Sequence, residues 1–372
     1  MTERIRTVQP EEWEDFQRFM ERCYGHSWNY FPRQYPQLYR VEDDALRGFY
    51  VLERDGKVVS HVGLFPLECV AFDGRVMAGG IGGVATQPED REKGYMSRLL
   101  PYVIAQMKDR GYPLSCLGGD RQRYNAFGWE FAGLTYTLTL TRRAMDRAGI
   151  RPAEIREFDP VEAAPEMSRF LKILPLRVER QLVLLVLRKP GLRAWLSEDG
   201  YVLSNGERAH PVSIMEVASP TGREAELLRA VMERCFGGEA TLQVSAFDRE
   251  RLSRLLRATA WWSAESDWDY RVVDLVGLLE AYRGRLKERA KWVTPFEMSL
   301  GLTFSDEIQQ ATISVQDGKV EIGRGRQVEP YVELDALAGT RLLLGGPSPA
   351  QEVEGLSGLL PLPVHVPSLD HV

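Results

Sequence analysis

The fold is decided by residues 79–100, which read GGIGGVATQPEDREKGYMSRLL. The glycine-rich apolar run predicts a buried strand, and Pro88 predicts its end because proline cannot donate to a sheet ladder. After Gly94, apolar residues recur at helical spacing, which predicts a helix with one core-facing stripe. This helix is predicted to open near Arg91 and to end at residues 108–111, where cations precede a glycine.

The turn between this strand and this helix predicts an anion site. The first N–H groups of a helix have no internal partners, and the helix dipole makes that end positive. Gly94 lets the backbone approach a phosphate closely, and Arg91 and Lys93 add charge. Taken alone, the turn is also compatible with an ordinary β-α connection that contains an incidental glycine.

The whole pattern Val-x-Thr-x-Pro-x-x-Arg-x-x-Gly over residues 84–94 resembles the acetyl-coenzyme A signature of the GNAT N-acetyltransferase superfamily. The resemblance implies acetyl-CoA as co-substrate. It implies that the strand backbone binds pantetheine, that the turn binds the pyrophosphate and that two residues after the fifth strand contact the cofactor. The implied cofactor-binding residues are Val84, Ala85, Thr86, Arg91, Glu92, Lys93, Gly94, Tyr95, Met96, Ser97, Gly119 and Asp120. Met96 replaces the usual last Gly or Ala, which indicates a divergent branch.

Length and composition narrow the class of protein. A chain of 372 residues predicts two or three domains, and 44% apolar with 27% charged residues is typical of a soluble globular protein. The net charge of −6 argues against a nucleic-acid partner and favours a cationic acceptor. We see no membrane-spanning run and no signal peptide, so we expect a cytoplasmic protein. The four cysteines lack metal-site spacing, so no metal is expected.

Residues 1–142 are predicted to form a first domain in β-α-β-β-β-α-β-α-β order, which matches the GNAT fold. Asp55-Gly56 is a hairpin signal, and the last predicted strand is the alternating run Phe131–Leu140. Residues 26–39 are dense in aromatics and prolines and are predicted to form a loop or short helix. Aromatic walls suit an amine-bearing acceptor, and packing of this loop on the core is an equal alternative.

Residues 143–268 repeat the pattern more weakly and are predicted to form a degenerate second GNAT-like domain. A strand at Gly200–Ser204 is predicted to turn at Asn205-Gly206 into a second strand. Residues 218–222 then stand where the phosphate turn would be, so this copy is expected to have lost its cofactor site. An unrelated α/β domain remains the alternative.

Residues 269–372 are predicted to form a third part that opens at Asp269 and contains a helix over Asp274–Arg289 followed by three strands, an order that resembles the sterol-carrier-protein fold. GNAT, degenerate GNAT and sterol-carrier-like domains in this order resemble the Eis (enhanced intracellular survival) family of acetyltransferases. The predicted fold class is therefore α/β (α+β): tandem GNAT folds with mixed, centrally splayed sheets flanked by helices, followed by a sterol-carrier-like α+β domain. The resemblance also implies a homo-oligomer, a hexamer.

Tyr124 is the candidate general acid. It stands three residues before Phe127-Gly128-Trp129, which resembles the Eis-family motif whose tyrosine is the acid. A phenol of pKa about 10 can donate to a thiolate whose parent thiol lies near 8.5, if it is within hydrogen-bond reach. The alternative for Tyr124 is a core tyrosine, and Tyr95 and Tyr102 are weaker candidates for the acid.

The candidate base is the terminal carboxylate of Val372, because the Eis family uses its own C-terminus in this role. Residues 361–372 are rich in prolines, which stiffen the tail as docking would require. An α-carboxylate of pKa near 3.5 is a feeble base, and burial would strengthen it. The family usually ends in Phe rather than Val, and Asp370 and His371 are local rivals.

The resemblance implies transfer of acetyl from acetyl-CoA to a primary amine by direct attack in a ternary complex. The acceptor is a small molecule or a peptide: an aminoglycoside-like amine, a polyamine or a peptide lysine. One alternative is transfer of a longer acyl chain, and another is a non-catalytic lipid or acyl-CoA carrier. The intact turn at Arg91 and Gly94, with Tyr124 present, argues against decay into a carrier.

Overall fold

The computed structural model describes residues 2–205, 211–235, 238–346 and 352–372. The strands are β1 Glu3–Thr7, β2 Phe49–Arg54, β3 Lys57–Ala71, β4 Gly74–Thr86, β5 Leu114–Leu117, β6 Glu130–Ala132, β7 Thr135–Thr141, β8 Arg156–Phe158, β9 Leu176–Glu179, β10 Leu192–Ser197, β11 Gly200–Asn205, β12 Val212–Ala218, β13 Glu239–Ser245, β14 Thr259–Glu265, β15 Trp268–Val272, β16 Phe296–Thr303, β17 Ile308–Gln316, β18 Lys319–Arg324 and β19 Tyr331–Asp335. The predicted turn residue Gly206 lies outside the described residues.

Short and medium helices connect these strands. They are α1 Trp13–Tyr24, α2 Tyr30–Gln34, α3 Asp43–Leu46, α4 Tyr95–Asp109, α5 Arg121–Asn125, α6 Arg142–Arg147, α7 Ala164–Leu171, α8 Val183–Val186, α9 Glu224–Arg234, α10 Arg249–Leu256, α11 Leu275–Ala281, α12 Arg283–Ala290 and α13 Ala336–Leu344. The strands form three sheets that fit the predicted tandem arrangement.

The first sheet has the order β1-β2-β3-β4-β5-β15-β6, with β9 also paired to β3. β4 runs parallel to β5 and antiparallel to β3, so the sheet is mixed. The pairing with β5 covers only Ala78–Ile81, whereas β4 continues to Thr86. The two strands therefore separate beyond Ile81, which confirms the predicted mixed and centrally splayed sheet.

Helix α4 packs its predicted apolar stripe into the core of this sheet, with Leu99, Val103 and Met107 fully buried. The helix ends where predicted but begins at Tyr95, not near Arg91. Its start is delayed because Gly94 takes a left-handed conformation, with φ +75°, directly before the first turn.

The run Phe131–Leu140, predicted as one strand, is two strands in different sheets. β6 closes the first sheet, and β7 enters the second sheet, whose order is β14-β7-β13-β12-β11-β10-β8. Gly133 lies between them at φ +69°, a conformation that breaks a regular strand. Strand β15, which was not predicted, begins at Trp268 and pairs between β5 and β6 of the first sheet.

The third sheet has the order β18-β17-β16-β19. The helix predicted over Asp274–Arg289 is broken at Tyr282 into α11 and α12. The Tyr282 hydroxyl donates to the Pro363 carbonyl at 2.5 Å, so the break holds the C-terminal arm, residues 361–372. The sheet and the arm share one core with part of the first sheet.

A buried ion triad fixes the end of the C-terminal arm. Arg180 donates to Asp370 at 2.7 and 2.8 Å and to Glu216 of β12 at 2.5 and 3.1 Å. All three side chains are almost completely buried. The guanidinium therefore joins the second sheet to the arm.

We expect Arg180→Met to lower the free energy of unfolding by about 3–5 kcal/mol, because it leaves two buried carboxylates without their cation. Arg223→Met is the matched control, since Arg223 pairs with Asp199 at the surface and should cost about 1 kcal/mol or less. Urea denaturation of both variants measures the difference. Equal losses for the two arginines would contradict the structural role of the triad.

Candidate active site

A cleft of about 670 Å³ opens beside the end of β4 and the first turn of α4. Nine of the twelve predicted cofactor-binding residues line it. They are Val84, Ala85, Thr86, Arg91, Glu92, Gly94, Tyr95, Met96 and Ser97. The other three predicted residues, Lys93, Gly119 and Asp120, do not line the cleft in the part of the chain that the structure describes.

The turn of the cleft has the features of an anion site. A Cβ added at Gly94 would meet no described heavy atom within 4 Å, so its backbone faces open space. Arg91 donates to the carbonyls of Cys23 and Thr86, at 3.2 and 3.4 Å. Both acceptors are neutral, so the Arg91 charge remains available to an anion. Lys93 instead pairs with the buried Asp90 at 2.8 Å and holds the turn.

Tyr24, at the end of α1, lines the cleft and was not predicted. Its hydroxyl donates to the Val84 carbonyl at 2.8 Å. Burial, with a smaller contribution from Tyr124, raises the pKa of Tyr24, so it stays a protonated donor. Cys23 and Arg123 also line the cleft, and no sequence motif marks any of the three.

Tyr124 is a buried residue of α5. Burial is the main cause that raises its pKa, while the neighbouring Arg123 acts in the opposite direction. Its phenol is therefore protonated at neutral pH. Gly119 lies so close that a Cβ there would collide with the Tyr124 ring, and Asp120 caps α5 by accepting from the Gln122 amide at 2.9 Å.

The C-terminal carboxylate lies against β4. A Cβ added at Gly82 would be 2.8 Å from the carboxyl carbon of Val372, and one at Gly80 would be 2.8 Å from its Cγ2. Glycine at these two positions therefore makes room for the chain terminus. Gly82 is two residues before Val84, so the carboxylate and the cofactor cleft meet the same end of β4.

The two rivals of the terminal carboxylate are engaged elsewhere. Asp370 accepts two hydrogen bonds from Arg180. His371 accepts from the Trp268 indole at 3.0 Å, and burial lowers its pKa to about 4, so it is neutral.

A second cavity, of about 550 Å³, contains Val372 in its wall. Much of the remaining wall is apolar, from residues such as Leu64, Phe65 and Leu67 of β3. The aromatic segment 26–39 contributes to it only through Gln37 and Leu38. Elsewhere this segment packs inward, with Phe31 and Tyr39 buried in the core.

The described ranges offer neither a metal-binding cluster nor a membrane-spanning helix. We find no cluster of three or more His, Cys, Asp or Glu suited to a metal ion there. Nor does any helix in these ranges combine the length and apolar character needed to span a membrane.

Comparison with known proteins assigns the first part of the chain. Residues 4–132 match the family described as Acetyltransferase (GNAT) domain. No curated protein sequence matches the chain. The fold is similar over the full length of both chains to GCN5-related N-acetyltransferases from Kribbella flavida and Anabaena variabilis, each at 18% identity, with TM-scores of 0.75 and 0.71. It is also similar to Eis1 from Mycobacterium abscessus, at 15% identity and TM-score 0.68, over 98% of this chain and 99% of that one.

The N-terminal part is thus a GNAT acetyltransferase domain, and the protein is an acetyltransferase enzyme. The similarity in fold to the N-acetyltransferase from Kribbella flavida covers the whole of both chains, beyond the matched domain. GNAT enzymes use acetyl-CoA, and the cleft at β4 and α4 is the candidate site for it.

Arg91→Glu is expected to weaken CoA binding by about one to two decades, because it removes a charge-assisted contact worth about 1.5–3 kcal/mol. Arg22→Glu is the matched control, since Arg22 is already paired with Glu89 outside the cleft lining. Calorimetry with CoA measures both variants, and the melting temperature of the free protein should change little. An unchanged dissociation constant for Arg91→Glu would remove this turn from the cofactor site.

Proposed function

We propose that the protein transfers acetyl from acetyl-CoA to a primary amine by direct attack in a ternary complex. The acceptor class is an aminoglycoside-like amine, a polyamine or a peptide lysine. The observation that carries the proposal is the end of β4: Val84 lines the cleft, and the Val372 carboxyl group lies on Gly82. A cofactor cleft and a candidate base thus share one strand.

The residues of the cleft fit the parts of acetyl-CoA. The backbone of Val84, Ala85 and Thr86 would bind the amides of pantetheine, and the turn from Arg91 to Ser97 would bind the pyrophosphate. Bound there, acetyl-CoA would supply a thioester carbonyl and a thiolate leaving group. Lys93 would act indirectly, because its ammonium group already holds Asp90.

Two groups of the chain would move the protons. The Val372 carboxylate would accept a proton from the ammonium of the acceptor, directly or through water. The Tyr124 hydroxyl would donate its proton to the sulfur, a role supported by its raised pKa, which keeps the donor form at neutral pH. Val372 is a half-buried residue, and burial of its carboxylate would make it a stronger base than a free terminus.

The finer architecture is also a proposal. We propose a catalytic domain over residues 1–142, a degenerate GNAT-like domain over 143–268 and a sterol-carrier-like domain over 269–372. The three sheets support this division, although β7 of the first domain joins the second sheet, and β9 of the second domain and β15 at the start of the third join the first sheet. By resemblance to the Eis family we further propose that the protein is cytoplasmic and forms a homo-oligomer, a hexamer. Light scattering tests the oligomeric state directly.

Tyr124→Phe removes the proton donor alone, so kcat should fall about 10²-fold or more while acetyl-CoA affinity holds. Tyr136→Phe is the control, because Tyr136 lies on β7 in the second sheet, outside the lining of the cleft, and should leave kcat unchanged. Steady-state rates and calorimetry separate the two quantities. A parent-like kcat for Tyr124→Phe would make Tyr124 a structural residue.

Extending the chain by two glycines after Val372 should lower kcat about 10²-fold, because it moves the carboxylate by several ångströms without removing any side chain. The same two glycines added before Met1 serve as the control. Acetylation of a panel of amines provides the rates. If the extended chain keeps the parent rate, the terminal carboxylate has no catalytic role, and Asp370 becomes the next candidate.

Transfer of a longer acyl chain is the second candidate function. The observation in its favour is the apolar wall that Leu64, Phe65 and Leu67 form beside Val372, which could accept part of such a chain. Thiol release measured with acetyl-, hexanoyl- and myristoyl-CoA discriminates the candidates. The proposal predicts the highest kcat/KM with acetyl-CoA, the alternative predicts it with a longer chain, and a carrier would release no thiol.

A further inference from the structure

The largest of the described cavities lies between segments of the first two sheets, helix α12 and the chain that leads to the C-terminal arm, and it measures about 1190 Å³. Its wall includes Phe72 after β3, Ser219 after β12, helix α10, helix α12 and the segment 357–361. It shares no lining residue with the cofactor cleft or with the cavity at Val372. We name it the arginine cavity, after the five arginines in its wall: Arg249, Arg251, Arg254, Arg285 and Arg289.

Four of these arginines form no ion pair with a carboxylate of the described residues, and Arg254 is the exception: the four are Arg249, Arg251, Arg285 and Arg289. Arg285 and Arg289 lie four residues apart on α12, where like charges repel. Arg249, at the start of α10, faces them from the second sheet's side of the cavity. Burial, and then the charges of Arg285 and Arg249, lower the pKa of Arg289.

The donors of these arginines are only partly satisfied. One terminal nitrogen of the Arg289 guanidinium donates hydrogen bonds to the carbonyls of Leu359 and Pro361, at 2.5 and 2.6 Å. The Arg285 guanidinium lies 4.5 Å from the centre of the Phe72 ring, and its buried Nε has no hydrogen-bond partner in the described part of the chain. Arg251, on the opposite wall, also has a buried Nε without a partner among the described residues, whereas Arg249 is exposed to solvent. A buried donor without an acceptor is costly, so these two nitrogen atoms beside the exposed Arg249 charge indicate an anionic ligand.

The acidic residues of the wall do not neutralise this group. Glu224 and Glu250 both accept from Arg254, at 2.8 and 3.0 Å. Asp248 caps α10 by accepting from the Arg251 amide. The carboxylates are therefore committed to α10 and to Arg254, and the positive charge of the other arginines remains.

Much of the rest of the wall is apolar, although Ser219, Thr221 and Ser357 also line it. Phe72, Ile173, Leu174, Phe247 and Leu360 line the same cavity. Such a wall would favour burial of a hydrocarbon or aromatic body at about 25 cal/mol per Å² beside the cationic group. An inorganic anion alone would leave this surface in water.

We propose that the arginine cavity binds an organic anion, with a carboxylate or phosphate head at Arg249, Arg285 and Arg289 and an apolar body against Phe72 and Phe247. The site is separate from acetyl transfer, so it does not depend on the function proposed above. The ligand contacts the segments that follow β3, β12 and β13 together with helices α10 and α12, and it stabilises their arrangement.

Decanoate, titrated calorimetrically into the full-length protein with CoA present at saturation, tests the site. One equivalent should bind, and Arg285→Gln and Arg249→Gln should each weaken binding about tenfold or more. Arg283→Gln is the matched control on the same helix, because Arg283 pairs with Glu280, and it should bind as the parent does. The absence of saturable binding to the parent, or equal affinity in Arg285→Gln and Arg283→Gln, would overturn the proposal.

Three more probes define the ligand. Inorganic phosphate supplies a head without a body, decanol a body without a head, and decyl phosphate a second head on the same body. Phosphate and decanol should each bind at least about tenfold more weakly than decanoate or decyl phosphate. Equal binding of phosphate would overturn the apolar part of the site, and equal binding of decanol would overturn its anionic part. The tighter of decanoate and decyl phosphate identifies the head group.

Discussion

The short ladder between β4 and β5 is the constraint on which the active site depends. Only Ala78–Ile81 pair with β5, while β3 supports β4 as far as Thr86. The last residues of β4 therefore have one unpaired edge, and an unpaired strand edge normally attracts another strand. Here Tyr24 takes one carbonyl of that edge, at Val84, and the remaining backbone groups face a cleft. A ligand with amides can complete the ladder in place of a strand.

A local distortion supports this opening. Gly83 takes φ +60°, and the pairing register of β3 with β4 shifts beside it, between His61 and Gly63. His61 lies 2.7 Å from the Gly83 carbonyl through Nδ1, and burial lowers the pKa of His61 to about 4. The imidazole is then neutral at physiological pH and donates through Nδ1 to the carbonyl. The distorted end of β4 is thus held by an uncharged, buried hydrogen bond.

Local signals made much of the catalytic half predictable from the sequence. The turn at Asp55-Gly56 and the stripe of α4 depend on residues close in the chain, so periodicity and turn chemistry suffice. The partner of a strand is a different matter, since no local pattern in Trp268–Val272 indicates that β5 and β6 flank it. Tyr24 and Arg180 were missed for the same reason: their partners lie 60 and 190 residues away.

The charged side chains form many ion pairs, and arginines outside these pairs stand at both candidate anion sites. The chain is acidic overall, with 53 acidic and 47 basic residues, and many of its arginines are paired with carboxylates. Unpaired cations are therefore informative where they collect. At Arg91 a single exposed guanidinium stands at a helix start, where the dipole adds to its field. In the arginine cavity, Arg249 of α10 lies near Arg285 and Arg289 of α12, and these like charges repel one another. A bound anion would attract the arginines of both helices and so offset their mutual repulsion. Because it binds only the folded state, it would also stabilise the fold that presents the C-terminal arm to β4.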